Sequence, residues 1–161
     1  MAKQKNNKKG FTLIELLVVI SIIGFLAVLA LVAVTTVRRG ARDSLRVNAI
    51  SAMRKSLELY ANDNDGNYPV SAGECVATTG SVGPALLASK ALESVMVDPS
   101  WPTAVPANVT PGGTVIAPSN SFCYYYFSAT STKDFTVNYY LETDSRAGAS
   151  GIHVAGPSGE K

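Results

Sequence analysis

His153, Cys75 and Cys123 are the side chains best suited to metal binding or nucleophilic chemistry in this chain. One histidine and two cysteines do not make a zinc set, and their spacing fits none of the common ligand patterns. His153 has no readable Ser or Cys nucleophile partner, and no pair of carboxylates stands out for acid–base work. The stretch TDSRAGASG (143–151) holds a single Asp, too few oxygens for a calcium loop. These residues name no catalytic site, no metal and no cofactor, and they point away from an enzyme.

Glu15 is a different matter. It stands almost at the front of KKGFTLIELLVVISIIGFLAVLALVAV (8–34), whose residues 16–34 carry no charge and no proline. Nineteen helical residues would span roughly 28 Å, close to the hydrocarbon thickness of a bilayer. A charge in such a span costs several kcal/mol, so it needs a partner or must snorkel to the headgroups. The run is too long for an ordinary signal-peptide core, and no small-residue cleavage site follows it. Four lysines precede the run (Lys3, Lys5, Lys8, Lys9) and five arginines follow closely (Arg38, Arg39, Arg42, Arg46, Arg54). Basic residues on both sides leave the orientation undecided. The cysteines favour an oxidising compartment for the C-terminal part.

A lysine-rich leader, Gly10, the string Phe11-Thr12-Leu13-Ile14-Glu15 and an abutting apolar helix resemble the N-terminus of type IV pilins and their pseudopilin relatives. The resemblance is close over residues 8–36 and loose over the following stem. It implies a cut between Gly10 and Phe11 by a prepilin peptidase and N-methylation of the new Phe11 amine. It further implies that Glu15 serves filament assembly. Glu15 lies one helical turn beyond Phe11 on the same face, so its own amine or a neighbouring subunit's would neutralise it. A buried carboxylate paired with an amine is tolerable and an unpaired one is not, which makes Glu15 a registration device. Many relatives have a helix-breaking proline later in this segment. This chain has none, and Gly24 is the expected weak point.

Behind the span, Val37, Ala41, Leu45, Ala49, Met53, Leu57 and Ala61 form an i, i+4 ladder. Arg38, Arg42 and Arg46 are then expected on other faces. The sequence NDNDGNYP (62–69) ends the helix. Residues 35–61 hold six basic and two acidic side chains, whereas 62–161 hold four basic and nine acidic. A basic stem below an acidic head is unlike a nucleic-acid binder. The arginines suit anionic headgroups or acidic patches on a neighbour, and no specific nucleic acid is expected.

Residues 70–120 read as a long loop with a short helix from Pro84 to about Leu92. SFCYYYFSA (121–129), DFTVNYYLET (134–143) and SGIHVAG (150–156) read as strands, with Tyr124, Tyr126, Phe135, Val137 and Tyr139 alternating onto one face. That aromatic face is expected to be core rather than a ligand platform. Cys75 and Cys123 are either bridged, which the reading favours, or free and buried. Asn108-Val109-Thr110 matches the N-x-T glycosylation pattern.

The expected organisation is a leader (1–10), a transmembrane and filament-core helix (11–34), an amphipathic stem helix (35–61) and a globular head (62–161). The fold class is α+β, the helix packed on a small antiparallel sheet of about three strands. The resemblance implies a structural subunit, the major pilin of a type IV pilus. Its partners would be further copies in a helical filament, the prepilin peptidase, the assembly platform with its ATPase, and the membrane. Its location would be the cytoplasmic membrane as a single-pass precursor with an extracytoplasmic head, then the cell surface as a pilus. The alternative is a major pseudopilin of a type II secretion or DNA-uptake pseudopilus. DPSW (98–101) followed by YYY (124–126) resembles the pseudopilin pattern of Asp-Pro-Trp then Tyr. A lone membrane-anchored binding module is the third reading.

Overall fold

The computed structural model describes residues 10–101, 122–128, 133–144 and 148–160. Most of the leader, Asn108-Val109-Thr110 and residues 129–132 lie outside the described residues. One helix, α1, runs Leu13–Asp63. The chain divides between Arg38 and Arg39 into two units.

In the first unit, every described residue is exposed, Leu13 to Val37 included. An 18-residue window of this helix has a mean hydropathy of 3.2 and none of it is buried, so it is long and apolar enough to cross a membrane. Its few polar side chains are satisfied by the helix itself. Ser21 Oγ donates to the Val18 carbonyl at 2.8 Å and Thr35 Oγ1 to the Val32 carbonyl at 2.8 Å. Such internal bonds let hydroxyls reside in hydrocarbon without water. The helix is unbroken through Gly24 and Gly40.

In the second unit the rear of α1 is one-faced. Its buried residues are Asp43, Arg46, Ile50, Met53, Ser56, Leu57 and Ala61. Met53, Leu57 and Ala61 belong to the expected ladder, but Ala41 and Leu45 are exposed and Arg46 is fully buried. The buried stripe is therefore rotated at its front, where ion partners rather than methyl groups await it. The helix stops in NDNDG. Asp65 and Gly66 both take positive φ, at 57° and 78°, and Gly66 N–H reaches back to the Ala61 carbonyl at 2.8 Å. A left-handed pair with a six-to-one bond is a Schellman-type stop, for which glycine is the least strained residue.

The sheet has five strands, not three: β1 (Ser71–Cys75), β2 (Tyr125–Ser128), β3 (Thr136–Leu141), β4 (Gly151–Gly156) and the two-residue β5 (Gly159–Glu160). They lie in chain order, each antiparallel to the next. β1 falls in the stretch expected to be loop, because S-A-G-E-C has little strand propensity and is held by pairing with β2. A second helix, α2, spans Val82–Ala88 and stops short of Leu92 as Lys90 turns to a φ of 57°. Glu74 fixes its start by accepting from Ser81 N–H and Val82 N–H, at 2.9 and 2.7 Å. Pro84 sits in the first turn, where its missing N–H costs nothing.

Tyr124, Tyr126, Phe135, Val137 and Tyr139 join Ile50, Met53 and Leu57 of α1 in one core cluster. Full burial of each aliphatic side chain there contributes on the order of 2 kcal/mol. A second, smaller buried cluster joins Phe122, Cys123 and Tyr140. The layout is α+β, the rear of one long helix on a small antiparallel sheet.

Candidate functional site

The first site is built by the start of α1. T-L-I-E places a threonine at the N-cap and a glutamate three residues on, the reciprocal capping arrangement. Thr12 N–H and Thr12 Oγ1 both donate to Glu15 Oε2 at 2.8 Å, and Glu15 N–H donates to Thr12 Oγ1 at 3.3 Å. A carboxylate here also faces the positive end of the helix dipole. Sequence reasoning sought the partner of Glu15 in an amine and missed Thr12, although the T-x-x-E spacing was there to be read. Gly10 and Phe11 precede the helix and are exposed, Phe11 to 89%. The Gly10–Phe11 bond thus lies in exposed chain just ahead of the cap. Phe11 and Glu15 lie in one short segment, separated by a single turn.

The second site was not legible beforehand. Arg46 is fully buried, and all five of its N–H donors are used. Nε and Nη2 form a fork on Asp98, at 2.8 and 3.1 Å. Nη1 donates to Asp43 at 2.8 Å and to Glu142 at 2.7 Å, and Nη2 also donates to Ser100 Oγ at 2.9 Å. The Phe122 ring lies 4.8 Å from the guanidinium carbon, a cation–π contact. Asp43 in turn accepts from Glu142 N–H and Thr143 N–H, both at 2.9 Å, and from Thr143 Oγ1 at 2.7 Å. Arg42 forms a second fork with Glu142, at 2.7 and 2.5 Å. The Arg42 hydrogen bond, aided by Arg46 and opposed by burial, holds the Glu142 carboxyl below the ordinary range. Burial pushes the Tyr124 phenol well up, with the Asp98 charge adding to it. The three carboxylates come from α1, from the loop before Trp101 and from the end of β3. Only the Asp43–Arg46 pair, three apart on one helix, left a trace in the sequence.

Cys75 and Cys123 form a disulfide with Cα atoms 5.6 Å apart, closing a separation of 48 residues. The bridge ties the end of β1 to the chain entering β2, beside Phe122. Phe122 packs edge-on against Tyr140 at 5.2 Å between ring centres. His153 Nε2 lies 2.8 Å from the Ala149 carbonyl, and its ring is 5.4 Å from that of Tyr139, so it is engaged structurally. Among the described residues, no group of three His, Cys, Asp or Glu side chains is arranged to hold a metal ion.

Residues 5–31 match the family model described as the prokaryotic N-terminal methylation motif. This is the prepilin-like signature of type IV pilins and pseudopilins, and the match includes Gly10, Phe11, Thr12 and Glu15. No solved structure matches the chain.

Proposed function

We propose that the chain is the major structural subunit of a type IV pilus. It is made as a precursor, cut between Gly10 and Phe11, N-methylated at Phe11, and polymerised through the front of α1. The N-terminal methylation motif carries the coarser assignment to a pilin or pseudopilin. The observation that supports polymerisation is the exposed, uncharged helix surface behind Glu15. Such a surface must be covered, first by lipid and then by protein. Identical helices supply that cover when the chain leaves the bilayer.

Glu15 supports the same reading. In the single chain its charge is stabilised by Thr12, so the precursor inserts without a second molecule. Cleavage adds a positive amine at Phe11, one turn away. In a filament either this amine or a neighbour's completes the neutralisation, and correct axial offset is rewarded. The prepilin peptidase, the assembly platform and its ATPase are the partners this route requires. The precursor sits in the cytoplasmic membrane with its head outside, and the product is the surface pilus.

Electron microscopy of sheared cell-surface material, with mass spectrometry of the first residue, tests this. Fibres whose subunit begins at N-methylated Phe11 are expected. Glu15→Ala should leave processed, membrane-inserted subunits and no fibres. Fibres of normal number from that variant would refute the role of Glu15. A pseudopilin of a secretion or DNA-uptake system is the second reading, favoured by the DPSW stretch with its buried Asp98. Loss of protein export on deletion, with surface fibres intact, would select it.

A further inference from the structure

Outside the front segment, few large apolar side chains are exposed in the described chain, and two of them face one groove. It has a volume of about 430 Å³ and is lined by Leu45, Asn48, Ala49 and Ala52 of α1 and by Met96 and Val97 of the loop that follows α2. Leu45 is 58% exposed and Val97 43%, one on each wall. No charged side chain lines the groove, although five ionised groups lie close by in sequence or space. Asp98, directly after Val97, is drawn into the fork of Arg46 and is almost fully buried. Arg42 and Arg46, on the same helix as Leu45, are spent on Glu142, Asp43 and Asp98. The ion cluster therefore consumes its own charges and leaves a neutral apolar wall beside them. A partner for such a wall must itself be uncharged along its length, since a charge buried there would go unpaired.

We propose that this groove receives the front helix of a second copy of the chain. Residues 16–37 supply the required stretch, uncharged throughout and exposed on every side. The inference rests on the filament reading and adds to it a specific seat on the head. Lipid or a different head segment are the competing occupants. Small residues at Ala49 and Ala52 permit close approach of a helix, while Leu45 and Val97 flank it. In this arrangement the buried arginine cluster has a second effect beyond stability: it keeps the seat neutral.

The experiment uses the full-length chain in cells that assemble it. A photo-cross-linker, p-benzoylphenylalanine, replaces Val97, and filaments are counted by electron microscopy before irradiation. The expected product is a covalent dimer whose attachment maps to residues 16–37 of the other chain. Replacing Phe127, exposed but outside the groove, serves as comparator and should capture that segment on the order of tenfold less. Normal filaments in which Val97 labels lipid, another head or its own chain would overturn the inference and leave the filament reading standing. Equal capture from Phe127 would overturn it too. Absence of filaments from the unaltered chain would overturn both. Leu45→Asp gives an independent reading, because the exposed site can accept a charge in the monomer. Filament yield should fall by about tenfold or more with thermal unfolding of the head unchanged, as burying an unpaired carboxylate demands. Unaltered yield from Leu45→Asp would overturn the inference.

Discussion

The two stretches of α1 solve opposite problems with the same backbone. From Leu13 to Val37 the helix shows apolar side chains all round and buries none of them. From Asp43 to Ala61 it buries one stripe, and the front of that stripe is an ion cluster. The carboxylate of Glu15 is exposed and served by a neighbouring threonine, whereas those of Asp43 and Asp98 are buried and served by an arginine. The contrast teaches where the stability of each part resides. The rear is held by contacts within one chain and the front depends on what surrounds it.

Arg46→Met should separate the two most sharply. It leaves Asp43, Asp98 and Glu142 facing one another without their shared cation, which costs about 3–5 kcal/mol when buried carboxylates lose their partner. Chemical unfolding of the chain in detergent micelles, followed through the tyrosines, measures it. Membrane insertion of the front should be unaffected, and a variant as stable as the parent would break the comparison. Next in size is the disulfide. Cys75→Ser with Cys123→Ser should lower head stability by roughly 3–4 kcal/mol on the chain-entropy account. Intact mass with and without reduction verifies the bridge in the parent.

A pH effect follows from Glu142. Its carboxyl is depressed in the folded chain, chiefly by Arg42. The stabilisation is therefore fully present above the unfolded carboxylate value, near about 4.3, and is lost as pH falls through the lower folded value. The midpoint of thermal unfolding should drop across that acid window, and Glu142→Gln should flatten the drop. The smallest effect is expected at the front. Thr12→Val removes the N-cap hydroxyl and should weaken the first turn of α1 by about 1 kcal/mol. Amide exchange at Leu13 to Glu15 in micelles reports it, while unfolding of the head stays constant.

Much of this was legible in local patterns. Continuous hydrophobicity over 16–34, the turn residues of NDNDG and the alternation from Tyr124 to Tyr139 are short-range signals, and each element formed where its pattern stood. The front of the molecule was the clearest case, since the methylation motif is a local feature of residues 5–31 and the T-x-x-E spacing one of four residues. β1 was not legible, because Ser71–Cys75 is a strand only by virtue of pairing with β2 some fifty residues later. The arginine cluster was not legible either. The periodicity of α1 placed Arg46 on the solvent side, and only the arrival of Asp98 and Glu142, 52 and 96 residues on, made burial of a guanidinium cheaper than burial of Leu45. Sequence alone settled which helix needs an apolar environment, since hydropathy is a property of side chains taken one at a time. Tertiary structure alone decided which face of the stem is inside, because a charge is buried only where its counter-charges converge.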